Sequence, residues 1–99
     1  MNIQKMMKDL QRMQSKLQDE IEVMEVEATA GGGVVRARIN GKKELLALTL
    51  DPEAITPDDP GMLQDLVIAA VNEAGRLVDA EIQKKTQGLA GGLKIPGLT

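Results

Sequence analysis

A chain of 99 residues has the length of one domain, and a core built from so few residues leaves little stability in reserve, so further burial through self-association is expected. Its apolar fraction of 42% and charged fraction of 27% are those of a folded globular chain and exclude disorder over most of its length. With no Cys and no His, disulfides, thiolate nucleophiles, imidazole bases and the usual nitrogen and sulfur ligands of zinc are excluded, so neither an enzyme nor a metal or cofactor protein is expected.

Phe, Tyr and Trp are also absent. The core must be filled by Leu, Ile, Val, Ala and the six Met, whose flexible thioethers adapt to irregular gaps. Lack of rings also counts against sequence-tolerant binding of single strands, where bases stack on aromatic side chains. The opening MNIQKMMKDLQRMQ places polar residues every few positions. It reads as neither a signal peptide nor a membrane span, and a cytoplasmic address is expected.

From Ile3 to Met24, the apolar residues Ile3, Met6, Leu10, Met13, Leu17, Ile21 and Met24 recur at alternating steps of three and four, which predicts an amphipathic helix. From about residue 22 to 30 the pattern changes to alternation. Met24, Val26, Ala28 and Ala30 fall on one face and Glu25, Glu27 and Thr29 on the other, a first strand. Gly31, Gly32 and Gly33 supply a reversal. Val35, Ala37 and Ile39 then alternate with Arg36 and Arg38 in a second half-buried strand. Asn40-Gly41 predicts a two-residue type I′ hairpin, and Leu45 to Leu50 folds back as the third strand of an antiparallel meander.

Asp51-Pro52 ends that strand. Thr56 is the expected cap of a second helix, with Pro57, Asp58 and Asp59 in its first turn. Leu63, Leu66, Val67, Ala70, Ala74, Leu77 and Val78 keep helical spacing, and its Ala and Gly residues suit close packing against the sheet or a partner. Beyond Gln87 the sequence GLAGGLKIPGLT is rich in Gly and contains Pro96, so a flexible tail is expected over 88–99, after a single domain over 1–87. The fold class is α+β: helix, three-stranded meander, helix.

The formal net charge of −3 argues against a surface that grips polyanions everywhere. Its distribution is uneven. Lys5, Lys8, Arg12 and Lys16 face only Asp9 in the first 18 residues, whereas Asp19, Glu20, Glu22, Glu25 and Glu27 follow with no cation among them. At about 100° per residue the four cations fall within an arc of roughly 80°, away from the apolar stripe, over about 16 Å of helix. Such a ridge suits the walls of a major groove about 12 Å wide, where it would neutralise phosphates. The plainer alternative is a solvated face. Arg36 and Arg38 share one face of the second strand, and Lys42 and Lys43 follow it. They extend a basic surface, or else protect a strand edge or pair with Glu25 and Glu27. Lys84 and Lys85 are accounted for by the dipole of the second helix. Neither GxxxxGK[ST] nor GxGxxG occurs, so the glycines are read as turn and tail. Asp51 with Glu53, and Asp58 with Asp59, are read as caps in preference to acid–base or Mg²⁺ chemistry.

Taken in order, Ala30 to Gly33, the Asn40-Gly41 hairpin, Leu50-Asp51-Pro52, DLVIAAVNEA at 65–74 and the GGLKIPGL ending resemble the YbaB/EbfC family of bacterial nucleoid-associated proteins over nearly the whole chain. The resemblance implies an α-β-β-β-α protomer that dimerises through its strands with its long helices projecting, in a cytoplasmic protein that binds double-stranded DNA and localises to the nucleoid. Of site residues it carries over only the basic positions of the first helix. A rival expectation is an interaction module for replication, recombination or transcription proteins, with DNA binding incidental. Neither a membrane nor a small-molecule substrate is expected as a partner.

Overall fold

The computed structural model describes residues 2–92. Helix α1, Ile3–Glu22, starts where Asn2 Oδ1 accepts the Lys5 N–H at 3.2 Å, satisfying one of the first-turn donors that no helix can pair internally. It stops just short of the expected end because Met24 is drawn into the core under the sheet. Strands β1 (Glu25–Ala30), β2 (Val35–Asn40) and β3 (Leu45–Leu50) form an antiparallel sheet in the order β1-β2-β3. Period-two alternation fixes the faces. Val26 pairs with Ile39 and Ala28 with Ala37 on the inner face, while Glu27 pairs with Arg38 and Thr29 with Arg36 on the outer face. Between β2 and β3 the register shifts. Arg38 pairs with Ala47 but Ile39 with Leu45, which leaves Leu46 as the extra residue of a bulge.

The turn after β1 runs through Gly31, Gly32 and Gly33 at φ values of 64°, 73° and 97°, a left-handed path costly for any residue with a Cβ. The turn after β2 departs from the expected type I′ hairpin. Its positive φ, 64°, belongs to Lys43 and not to Gly41. The Asn40 carbonyl accepts the Lys43 N–H at 2.9 Å and the Asn40 N–H donates to the Glu44 carbonyl at 3.1 Å. The Asn40 side chain accepts from Lys42 N and Glu44 N at 2.9 and 3.0 Å, and so holds a longer loop shut from inside. Gly41 is glycine for a tertiary reason: a Cβ there would run into the Ile21 carbonyl oxygen and come within 2.9 Å of Ile21 Cγ2. The hairpin is thus the seat on which the end of α1 rests.

A short 3-10 turn, Pro52–Ala54, follows β3, capped by Asp51, whose side chain accepts the Glu53 N–H at 3.0 Å. Helix α2, Pro60–Gly92, begins four residues beyond the expected cap. Asp59 Oδ1 accepts the Met62 N–H at 3.1 Å, and Pro60, which has no N–H to satisfy, occupies the first helical position. Thr56 instead accepts the Asp59 N–H with its carbonyl in the preceding turn. The other end also differs from expectation, because Gly88 to Gly92 continue the helix. Each glycine costs about 1 kcal/mol there. Gly88 borders a shallow groove with Met13, Leu17 and Glu20 of α1 and with Lys85. The rest of the expected tail, 93–99, lies outside the described residues.

One face of α2 lies on the inner face of β1 and β2. Ala70, Ala74 and Val78 are completely buried, against Ala28, Val35, Ala37 and Ile39. Alanine opposite alanine lets helix and sheet approach closely, so a core without rings still closes. β3 lies beyond this cover. Leu45 and Leu48 share its inner face with Ile39 and Ala37, yet stay 49% and 38% exposed. Both helices continue past the sheet, and the molecule measures 69 × 25 × 15 Å.

Gly41→Ala is expected to lower stability by about 1–3 kcal/mol, the usual cost of forcing atoms into a filled contact. A urea titration followed by circular dichroism reads this as a lower midpoint. An unchanged midpoint would mean that α1 does not rest on the hairpin.

Candidate nucleic-acid interface

Helix α1 carries Lys5, Lys8, Arg12 and Lys16, all exposed. Among the described residues the ion pairs are Arg38 with Glu25 at 3.4 Å, Lys43 with Asp79 at 2.8 Å, Arg76 with Glu73 at 2.7 Å and Lys85 with Glu20 at 3.5 Å. None of them involves the α1 row. Those four side chains are exposed and form no ion pair among the described residues.

Their placement runs against the local electrostatics of a helix. A helix N-terminus carries partial positive charge and favours acids; its C-terminus favours cations, each preference being worth about 0.3–1 kcal/mol. In α1 the first turn contains no acid and the last turn no base. Lys5 and Lys8 sit toward the positive end, and Asp19, Glu20 and Glu22 toward the negative end. This order does nothing for the helix's own stability. It adds side-chain charge to the dipole field at the free end of the arm, where an anion would meet both.

The remaining candidates are more dispersed. Arg36 and Arg38 project from the outer face of the sheet, where with Glu27, Ala47 and Thr49 they line a shallow polar depression. Arg38 is turned toward Glu25, diagonally across β1, and Lys43 is bound to Asp79 of α2. Lys42 borders a groove beside α1 formed with Gln14, Leu17, Gln18 and Ile21. The structure therefore brings together the α1 row, keeps Arg36 and Lys42 unpaired on other elements, and engages Arg38 and Lys43 with carboxylates. Lys84 and Lys85 are not in the last turn, since α2 runs on to Gly92. Lys85 instead bridges to Glu20 and ties the two helices of the arm. Nothing in the one-dimensional pattern pointed to that pair or to Lys43–Asp79, because both join distant segments.

No helix among the described residues is long and apolar enough to cross a membrane, and no cluster of three or more potential metal-ligating side chains occurs among them. Asp51 and Asp59 serve as caps, accepting the Glu53 and Met62 N–H groups.

A meander covered on one side by a long helix, with a second helix carrying an unpaired cationic row, defines an α+β protein built to present charge on a projecting arm. The family model described as the YbaB/EbfC DNA-binding family matches residues 1–93, and the chain belongs to that family. A nucleoid-associated protein of Desulforamulus reducens is 50% identical over 98% of this chain and 95% of its own. One from Clostridium novyi is 46% identical over 99% of this chain and 89% of its own. A crystal structure of an uncharacterized protein from Helicobacter pylori shares the fold at a TM-score of 0.71 and 22% identity, covering 91% of this chain and 98% of that one.

Because the row makes no ion pair, Arg12→Glu is expected to change stability by no more than about 0.5 kcal/mol, as for surface substitutions away from special contacts. Urea midpoints of the two proteins check this. A larger loss would assign Arg12 a packing role.

Proposed function

We propose that the protein binds double-stranded DNA as a homodimer, chiefly by phosphate contacts from Lys5, Lys8, Arg12 and Lys16 on the α1 arm of each copy. The observation that carries this reading is the exposed, unpaired cationic row at the positive end of a helix, in a chain of the YbaB/EbfC DNA-binding family. Relatives bearing the name nucleoid-associated protein support a place at the nucleoid, in its organisation or in gene regulation, and hence in the cytoplasm. Arg36 and Lys42 extend the contact surface. Arg38 and Lys43 join it only by exchanging a carboxylate for a phosphate.

Self-association is supported by β3. Its outer edge pairs with no strand of the same chain, and its sequence LLALTL has none of the charges or prolines with which monomeric proteins blunt such an edge. The uncovered Leu45 and Leu48 add apolar area beside it. A second copy placed there leaves both arms free.

Fluorescence anisotropy on a duplex at several salt concentrations tests the DNA reading. The slope of log K against log salt is expected near about −3.6 for the four cations of one arm, at about 0.9 per phosphate, and about twice that if both arms engage. A flat response, or no binding at low salt, overturns it. Exposed Ile3, Met6 and Met7 favour a second reading, docking of a replication, recombination or transcription protein. Reversing all four charges separates the two, since DNA binding is then lost while apolar docking persists. For the dimer, Leu48→Asp is expected to halve the mass measured by light scattering. An unchanged mass moves the interface away from β3.

A further inference from the structure

Asn40-Gly41 sets a side-chain amide beside a backbone nitrogen that no Cβ shields. In such a pair the deprotonated Gly nitrogen can attack the Asn Cγ. The new C–N bond closes a cyclic imide, and the side-chain nitrogen takes a proton from water and leaves as ammonia. A second water then opens the ring. Cleavage between nitrogen and Cγ leaves Asp; cleavage between nitrogen and the main-chain carbonyl leaves isoaspartate, whose backbone is longer by a methylene. The net change consumes water and releases ammonia, with nothing oxidised or reduced. Asn2 and Asn72 precede Ile3 and Glu73, whose side chains hinder the same attack.

The loop leaves the nucleophile free and restrains its target. Gly41 N–H donates to no group among the described residues. Asn40 Oδ1 accepts the Lys42 and Glu44 N–H groups at 2.9 and 3.0 Å, and its Nδ2 donates to Glu44 Oε1 at 2.9 Å. Turning Cγ onto the Gly41 nitrogen disrupts these bonds, so ring closure waits on opening of the loop. Lys42, Lys43 and Glu44 are exposed, and loops of this kind open at far lower cost than a sheet unfolds.

The two products differ in what they do to the fold. Asp at position 40 keeps both acceptor contacts of Oδ1 and exchanges the bond to Glu44 for a meeting of two carboxylates. Isoaspartate lengthens the main chain next to Gly41, where the Ile21 carbonyl oxygen and Cγ2 leave no room even for a Cβ. We propose that Asn40 is a self-modification site, deamidating through the cyclic imide when residues 40–44 open, and that its isoaspartate product unseats the end of α1 from the hairpin. The inference makes no use of DNA binding, and its test involves no DNA.

The full chain is incubated in mildly alkaline buffer, native or unfolded in guanidinium, and peptide mass spectrometry follows the exchange of NH2 for OH at Asn40. Native conversion is expected to proceed at a rate about tenfold to a hundredfold below that of the unfolded chain, the range of a local opening, while Asn2 and Asn72 stay intact. Equal rates overturn the gate, and a native chain that never converts removes Asn40 as a site. Native Glu44→Ala is expected to convert severalfold faster than the parent; an unchanged rate is equally contrary. The isoaspartate form, separated by its added charge, is expected to unfold at a lower urea midpoint than the parent, with the Asn40→Asp variant between the two. A parental midpoint for the isoaspartate form overturns the unseating of α1. An Asn40→Asp midpoint as low as that of isoaspartate overturns it too, by assigning the loss to charge and not to backbone length.

Discussion

The close approach of α2 to β1 and β2 is the constraint on which the rest depends. Ala70 and Ala74 meet Ala28 and Ala37 with no side chain long enough to hold the layers apart, and Val78, Val35 and Ile39 fill what remains. Interiors are packed to the density of organic crystals, so a contact of this kind fixes the direction of a helix as well as its position. α2 is about 50 Å long, and any tilt at its buried turns is magnified at its far end. The arm beside α1 therefore inherits its aim from a few methyl groups. The same contact covers two strands but of β3 reaches only Leu50, so Leu45 and Leu48 stay exposed.

The net charge of −3 conceals a separation along one helix. Lys5 and Glu20 are about 22 Å apart on α1, and exposed charges at physiological salt are screened over about 8 Å. The free end of the arm consequently behaves as a cation whatever the chain sums to. Toward the sheet, Glu20 and Glu25 are drawn into pairs with Lys85 and Arg38, which leaves less negative charge to oppose an approaching polyanion. Holding this order against the helix dipole gives up local stability, and the tertiary contacts of Leu17, Ile21 and Met24 with α2 and the sheet supply it instead.

Much of this was legible in one dimension, and the divergences share a cause. The α1 stripe, the alternation of β1 and β2 and the span Leu45 to Leu50 follow from periodicity, which burial imposes directly. The four cations of α1 could be placed within one arc of the helix from the helical angle alone. Asn40-Gly41 was another matter. The pair has a local meaning, a tight hairpin, but Gly41 serves the end of α1 and Lys43 takes the left-handed backbone. Likewise the glycines after Gln87 carry a poor helical propensity, yet α2 continues through them as far as Gly92, and Asp59 was hidden as a cap because Thr56 offered the same chemistry earlier. Glu20–Lys85 and Lys43–Asp79 join segments that only the fold brings together. Arg38–Glu25 lay within reach once the strand register was known.

A core assembled without a single ring has an optical consequence. The chain contains neither indole nor phenol, so it scarcely absorbs in the near ultraviolet and emits no intrinsic fluorescence. Any purine or pyrimidine chromophore bound to it would stand out against a dark background. A nucleic acid bound to such a chain would thus be more visible than the chain itself, and an absorption spectrum would report it directly.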